Sequence, residues 1–194
     1  MTTRDAQAPA DAQFISRWSP RAFNGKALSR EQVMALIEAA RWAPSCFNSQ
    51  PWRFVYAIKD SAHWPAMLKL LMDMNQAWAQ HAGALIAVVS RNTYQGNDAP
   101  APTHSFDTGA AWMSMALQAQ AMGLVSHAMW GIEHNDIPSA LNLPDNMQIQ
   151  AMVAVGEVGN KADLPEPLQD REQASPRKAL SELAFEGRMP DSVE

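Results

Sequence analysis

The chain of 194 residues contains a single cysteine, Cys46. One cysteine excludes an internal disulfide and any metal site built from several cysteines, and a lone thiol is typical of a reducing compartment. No stretch approaches the roughly 18 apolar residues that cross a bilayer, and the first dozen residues lack the apolar segment of a signal peptide. We therefore expect a soluble, cytoplasmic protein that has no membrane partner.

Basic charge is also sparse. The chain has 15 lysines and arginines against 20 aspartates and glutamates, a formal net charge of −5, with no run of like charge. Because nucleic-acid binding depends on clustered basic side chains that contact phosphates, this composition argues against a nucleic-acid partner.

The common nucleotide-binding and hydrolase motifs are absent as well. There is no GxxxxGK[ST] loop, no GxGxxG after a predicted strand, and no HExxH, GxSxG or CxxC. The five histidines share no metal-ligand spacing, so no metal is expected. The string Asp107-Thr108-Gly109-Ala110 occurs in aspartic proteases, whose chemistry needs two carboxylates that share a proton. A dimeric protease acting through Asp107 is a remote alternative, because Asp107 is better placed to cap a long helix.

The hydrophobic pattern predicts one α+β domain over residues 14–187, between a disordered extension (1–13) and a short tail (188–194). Val33, Leu36, Ile37 and Ala40 follow helical spacing after a capping box formed by Ser29 and Gln32. Strands are predicted over 54–58, 84–90, 125–130 and 149–158, and further helices over 61–78, 107–122, 136–141 and 175–187. Because helices and strands alternate irregularly, the pattern favours helices around a small sheet over a doubly wound fold.

Two short basic segments suggest an anion site. Arg17, Ser19 and Arg21 share one face of an extended segment, and arginine binds phosphate or carboxylate groups bidentately. Arg177 and Lys178 fall in the first turn of the predicted last helix, where a bound anion would relieve their conflict with the helix dipole. A solvated basic edge is the structural alternative, but together the two segments favour a phosphorylated ligand.

A polar turn lies between the first long helix and the first strand, in the stretch ARWAPSCFNSQPWRF (40–54). Two prolines, Pro44 and Pro51, bound a segment of short hydrogen-bonding side chains. Such a turn is either a plain connection or a cradle for a ligand.

Taken together, the motifs resemble the flavin-dependent nitroreductase family. The stretches that carry the resemblance are RWSPRAF, ARWAPSCFNSQPWRF, MNQAWAQHAGALIAVVS, FDTGAAWMSMALQAQAMGLVSHAMWG, AVGEVG and SPRKALSE, in the family's order. A helix that ends in APS, followed after two residues by NxQPW, is the most specific of them. The resemblance implies an FMN-binding homodimer with a small, mostly antiparallel sheet flanked by helices, a helical dimer interface and active sites at that interface.

The resemblance also implies roles for individual residues. The cofactor clamp would comprise Arg17, Ser19 and Arg21, with a main-chain contact from Trp18 and a late phosphate contact from Arg177 or Lys178. The flavin ring would be approached by Pro44, Ser45, Cys46 and Asn48 of the partner subunit, by Asn75 at its polar edge, and by Met129, Trp130 and Gly131 beside N5. Two positions depart from the pattern, since Trp130 replaces a Glu of some members and Cys46 a common Ser.

The implied activity is that of an FMN-dependent NAD(P)H oxidoreductase. Hydride would pass by a ping-pong mechanism from NADH or NADPH through flavin N5 to a small-molecule substrate: a nitroaromatic, a quinone or a related electrophile. No catalytic side chain is expected, because the cofactor carries the chemistry. The alternative is an FMN-binding carrier or sensor with little turnover.

Overall fold

The computed structural model describes residues 4–190, which fold around a four-stranded sheet. Its strands are β1 (Trp52–Ile58), β2 (Ala84–Arg91), β3 (Val125–Met129) and β4 (Met147–Gly156). They lie in the order β1-β2-β4-β3, and all three neighbouring pairs are antiparallel. The predicted α+β class and antiparallel sheet are therefore confirmed.

Helices cover both faces of this sheet. They are α1 (Ala12–Ser16), α2 (Arg30–Arg41), α3 (Trp64–Leu68), α4 (Asp73–Ala79), α5 (His104–Ala121), α6 (Ile137–Ala140) and α7 (Glu166–Gln169). Ile86 and Val88 of β2 pack in the core formed with α2 and α5, whereas Leu85 and Ala87 pack on the opposite face with α3 and α4. Both faces of β2 are covered, which explains its continuous apolar sequence. None of the helices in residues 4–190 is long and apolar enough to cross a membrane.

The local signals of the first long helix are confirmed. The Ser29 hydroxyl accepts a hydrogen bond from the backbone N–H of Gln32, and the Gln32 side chain accepts one from the backbone N–H of Ser29. Val33, Leu36 and Ala40 are fully buried, as the helical spacing predicts. The helix therefore presents its apolar face to the sheet and to α5.

Two predicted helices have wrong boundaries. The helix predicted over 61–78 is two helices, α3 and α4, since the chain between them pairs with the segment after β3 through a bridge between Leu71 and Ile132. The helix predicted to begin at Asp107 begins at His104, with Thr103 at the N-cap position. Asp107 is therefore not the helix cap, and its carboxylate accepts hydrogen bonds from elsewhere.

The predicted last helix, 175–187, is also wrong. Only Leu180–Glu182 form a single 3-10 turn, and residues 175–178 are not helical. Leu180 and Leu183 remain exposed, so no apolar face holds the segment against the domain, and a short helix is marginal without such packing. Arg177 and Lys178 consequently do not lie at a helix N-terminus.

The chain ends contact the domain through a few polar residues. Asp11 caps α1 by accepting a hydrogen bond from the backbone N–H of Gln13, and Gln7 accepts one from the backbone N–H of Leu180. The prediction of disorder over 1–13 falls partly on residues 1–3, and the tail predicted over 188–194 partly on 191–194, which lie outside the described residues. The domain boundaries at 14 and 187 stay predictions.

Candidate functional site

Five arginines line one cavity of about 450 Å³. They are Arg4, Arg17, Arg21, Arg171 and Arg177, and the same cavity is lined by Trp18, Ser19, His127, Asp170, Gln173, Ala174, Ser175 and Pro176. Within residues 4–190, Asp170 is the single carboxylate in this lining. The basic cavity, as we call it, is thus strongly positive within a chain that is acidic overall.

The segment that carries Arg17, Ser19 and Arg21 is anchored by backbone contacts at its end. Phe23 forms a β-bridge with Val158, and the backbone N–H of Gly159 donates to the carbonyl of Ala22. A Cβ at Gly159 would overlap the Phe23 carbonyl group, so this close approach requires glycine. The AVGEVG stretch therefore holds the basic segment in place.

Glu172 anchors the same segment through its carboxylate. Its Oε1 accepts the backbone N–H of Arg21 at 2.7 Å and that of Ala22 at 2.9 Å. Its Oε2 lies 4.0 Å from Arg21 Nη1. Glu172 is buried, so it orients Arg21 without facing the cavity as a free acid.

Burial and like charge act together on the cationic side chains. Burial lowers the pKa of Arg17, and Arg177 and Arg4 lower it further. Burial lowers the pKa of Arg21, the charge of Arg171 lowers it further, and the charge of Glu172 raises it. Burial, and then the charge of Arg21, lowers the pKa of His127 to about 4. The cavity thus has a positive potential that its own residues do not neutralise, and an anion would relieve it.

The structure distinguishes the two late basic residues. Arg177 lines the basic cavity together with Arg17, Ser19 and Arg21. Lys178 instead lines a neighbouring, more apolar cavity near Phe14 and Leu183. Of the two candidates, Arg177 is therefore the one that lies near Arg17, Ser19 and Arg21.

A wall made by α4 and β3 leads away from the basic cavity. The His127 ring lies 4.9 Å from the Trp78 ring, centroid to centroid, and Asn75 precedes Trp78 by one turn of α4. Asn75 Nδ2 donates to the carbonyl of Gly131 at 2.9 Å, just beyond β3. This bond leaves the Asn75 carbonyl oxygen as an acceptor.

The segment after β3 combines a buried and an exposed residue. Met129 is buried in the core, whereas Trp130 is 61% exposed with its ring packed against His134. A Cβ at Gly131 would lie 2.7 Å from Asn75 Nδ2. A side chain at position 131 would displace the Asn75 amide, so Asn75 and Gly131 lie in contact, whereas the Met129 side chain is buried in the core.

The polar turn after α2 adopts an unusual backbone conformation. Phe47, Asn48 and Gln50 have φ values of 52°, 54° and 46°, in the left-handed region that non-glycine residues rarely adopt. The Ser45 hydroxyl accepts the backbone N–H of Gln50 at 3.0 Å. Phe47 is 89% exposed. Such strained backbone persists only where surrounding contacts fix it.

Asp107 supplies one of those contacts. Its Oδ2 accepts the backbone N–H of Cys46 at 3.2 Å and the Thr103 hydroxyl at 3.1 Å, and only 4% of the residue is exposed. The DTGA string thus lies in the first turns of α5, where its carboxylate holds the turn. This placement differs from the strand-connecting loops that an aspartic protease dyad requires.

Pro44, Ser45, Cys46 and Asn48 do not line the basic cavity of their own chain. Asn48 and Phe47 border a second cavity, which Tyr94 and Arg53 also line. The clamp and the turn are therefore separate sites within one chain.

The model of the nitroreductase family matches residues 15–157, about three quarters of the chain. The chain belongs to the nitroreductase family. Membership confirms the resemblance drawn from the sequence motifs. The individual cofactor-binding residues stay predictions, which the geometry above supports to different degrees.

Several known proteins are similar to this chain over more than half of its length. A crystal structure described as an oxidoreductase containing FMN shares 44% identity, with a TM-score of 0.94 over 99% of this chain and 100% of the other. An uncharacterized 15.4 kDa protein of Mycolicibacterium smegmatis is 32% identical over 61% of this chain and 79% of its own. An NADH dehydrogenase of Thermus thermophilus is 26% identical over 76% of this chain and 85% of its own.

Sequence reasoning missed four residues of the candidate site. Arg4 and Arg171 line the basic cavity, while Glu172 and Asp107 hold its two polar segments. No local pattern marks Arg4, Arg171 or Glu172. The sequence predicts Asp107 only as a helix cap, because its contact with Cys46 joins residues 61 positions apart and leaves no local signal.

Proposed function

We propose that this protein is an FMN-dependent NAD(P)H oxidoreductase that transfers hydride to a nitroaromatic, a quinone or a related small electrophile. The observation that carries the proposal is the basic cavity, with five arginines in a chain of net charge −5. The 44% identical structure is an oxidoreductase that contains FMN, and the Thermus relative is an NADH dehydrogenase.

The basic cavity fits a phosphate monoester. Arg17 and Arg21 offer guanidinium donors, the Ser19 hydroxyl already accepts from Arg17 Nη1 at 3.2 Å, and Arg177 faces them. A dianion would offset the repulsion among these side chains, and charge-assisted bonds to arginine are among the strongest in proteins. Arg17, Ser19, Arg21 and Arg177 would therefore hold the phosphate, whereas Lys178 would not.

The wall of α4 and β3 would hold the ring of the cofactor. The Asn75 amide is oriented by the Gly131 carbonyl, so it would present its oxygen to a hydrogen-bond donor of the ring. When bound, FMN would supply a two-electron carrier between a nicotinamide donor and an oxidant. The contribution of the chain is to bind, orient and shield that group, with no acid or base required from a side chain.

The homodimer belongs to the same proposal. Trp42, Phe47, Phe106 and Trp130 are all more than half exposed, and large exposed aromatics of this kind are typical of interaction surfaces. We infer that a second copy covers them and that the turn at Pro44–Asn48 then reaches the partner's ring site. Trp130 would lie beside this site, where it could contact a flat substrate.

Flavin titration and turnover test the proposal together. The apoprotein should bind FMN with a visible flavin spectrum, and a quinone should support continuous NADH or NADPH oxidation. The Arg17→Ala variant should lose FMN affinity, while the surface variant Arg30→Ala should retain it.

A flavin carrier or sensor is the second candidate. It shares the same basic cavity and would bind FMN equally well, but it would oxidise nicotinamide without sustained turnover. Absence of FMN binding by the wild-type protein would refute both candidates. Single-turnover bleaching without steady-state oxidation would refute only the enzyme.

A further inference from the structure

Arg4, which lies outside the motifs recognised in the sequence, joins two segments that line the basic cavity. Arg4 Nε donates to the Ser175 carbonyl at 3.0 Å. Arg4 Nη1 donates to the carbonyls of Ile15 and Arg17, each at 2.7 Å. A single guanidinium thus ties the backbone of the early clamp to the segment that carries Arg177.

A second contact strengthens this connection. Gln7 Oε1 accepts the backbone N–H of Leu180 at 2.6 Å, and residues 4–8 with Ala10 lie against residues 176–183 around a shared cavity. Residues 4–10, here called the N-terminal strap, therefore lie across the two chain segments that carry Arg17 and Arg177. They precede residues 15–157, the region matched by the family model.

The charge of Arg4 is not balanced by an acidic partner. Among residues 4–190, no carboxylate lies within ion-pair distance of Arg4. Arg4 lines the basic cavity beside Arg17 and Arg177. Burial lowers the pKa of Arg4, and the charge of Arg177 lowers it further. Three carbonyls hold this guanidinium among like charges. A bound anion would offset the repulsion among these charges and stabilise the arrangement.

We propose that Arg4 is a positioning residue of the anion site, through which the N-terminal strap holds Arg17 and Arg177 around the cofactor phosphate. This inference rests on the proposed function. Two of the carbonyls that Arg4 binds belong to Arg17 itself and to Ser175, two residues before Arg177. Loss of the strap should therefore affect the phosphate end of the ligand and leave its ring end unchanged.

Comparison of FMN with riboflavin isolates the phosphate end, because riboflavin lacks the phosphate. Apoprotein of the wild type and of Arg4→Ala, Arg4→Lys and Arg30→Ala would be titrated with each flavin by fluorescence quenching. Arg30 is an exposed arginine at the start of α2 and is the matched control. Thermal melting monitored by circular dichroism checks that each variant is folded.

In Arg4→Ala, the FMN dissociation constant should rise about tenfold, as expected when the charge-assisted bonds that position Arg17 and Arg177 are lost, and the riboflavin constant should change less than twofold. Arg4→Lys keeps the charge but not the planar fork, so it should recover only part of the FMN affinity. Arg30→Ala should match the wild type.

Two results would overturn the inference. One is an unchanged FMN affinity in Arg4→Ala and Arg4→Lys, and the other is an equal loss of FMN and riboflavin. If Arg4→Ala does not fold, the test rests on Arg4→Lys alone, through the ratio of its FMN dissociation constant to its riboflavin dissociation constant. In each of these cases the wild type would still bind FMN, which separates this failure from failure of the proposed function.

Discussion

Removing the Asp107 carboxylate should loosen the turn that follows α2. Asp107 is 4% exposed and accepts the backbone N–H of Cys46 and the Thr103 hydroxyl. In Asp107→Ala the part-buried Cys46 N–H loses its charged acceptor, which costs about 1–3 kcal/mol. Loss of the Thr103 bond adds about 1 kcal/mol, which gives about 2–4 kcal/mol in the free energy of unfolding.

Asp107→Asn should be milder than Asp107→Ala. The amide retains one oxygen and nearly the same shape, so the Cys46 N–H keeps a neutral acceptor. Hydrogen bonds to charged groups exceed neutral ones by about 1 kcal/mol, and this difference is the expected loss. The ordering of the two variants therefore separates the charge of Asp107 from its hydrogen-bonding role.

Thermal and urea unfolding of the apoprotein at one fixed protein concentration measure both effects. For a domain of this size, about 2–4 °C of melting temperature corresponds to 1 kcal/mol, so Asp107→Ala should melt about 4–16 °C below the wild type. Asp145→Ala, at an exposed aspartate, is the control and should melt within about 2 °C of the wild type. An Asp107→Ala variant as stable as this control would refute the assigned role.

Three further predictions address the cavity and the wall beside it. Arg17→Ala and Arg21→Ala should each weaken FMN binding by about 1–3 kcal/mol, measured by fluorescence titration, with riboflavin binding preserved. Because the pKa of His127 is about 4 when folded and ordinarily about 6.5, the unfolded chain binds the extra proton between these values. The free energy of unfolding, measured in urea, should therefore fall by about 3 kcal/mol from pH 7 to pH 4 because of His127. The His127→Gln variant should lose this pH-dependent contribution, whereas the control variant His81→Gln should retain it. Gly131→Ala should displace Asn75 and weaken FMN and riboflavin alike, by about 1–3 kcal/mol in the same titration; an effect on FMN alone would contradict the ring-side assignment.

Local patterns were sufficient to predict the sheet and α2. The β-branched and apolar run at Ala84–Ser90 specifies a strand buried on both faces, and the Ser29–Gln32 capping box marks where α2 begins. These signals lie within a few residues of the structure they determine. The antiparallel arrangement followed from the family resemblance, and the structure confirms it.

Features set by distant contacts could not be predicted in this way. The break between α3 and α4 depends on Ile132, and the segment around Arg177 lacks the packing that a helix requires. The same applies to Glu172, which binds the backbone of a segment far earlier in the chain. The clamp itself was predicted because its side chains alternate along one extended segment, whereas Arg4 reaches the cavity only through the folded chain ends.

The central claim is that the basic cavity and the adjacent wall bind FMN for hydride transfer. The most direct test is the absorbance spectrum of the purified, FMN-reconstituted protein from about 300 to 600 nm, before and after anaerobic addition of NADH or NADPH. We expect flavin bands that bleach with at least one nucleotide and return when a quinone is added. A protein that binds no FMN, or whose flavin bands persist with both nucleotides, would contradict the proposed function.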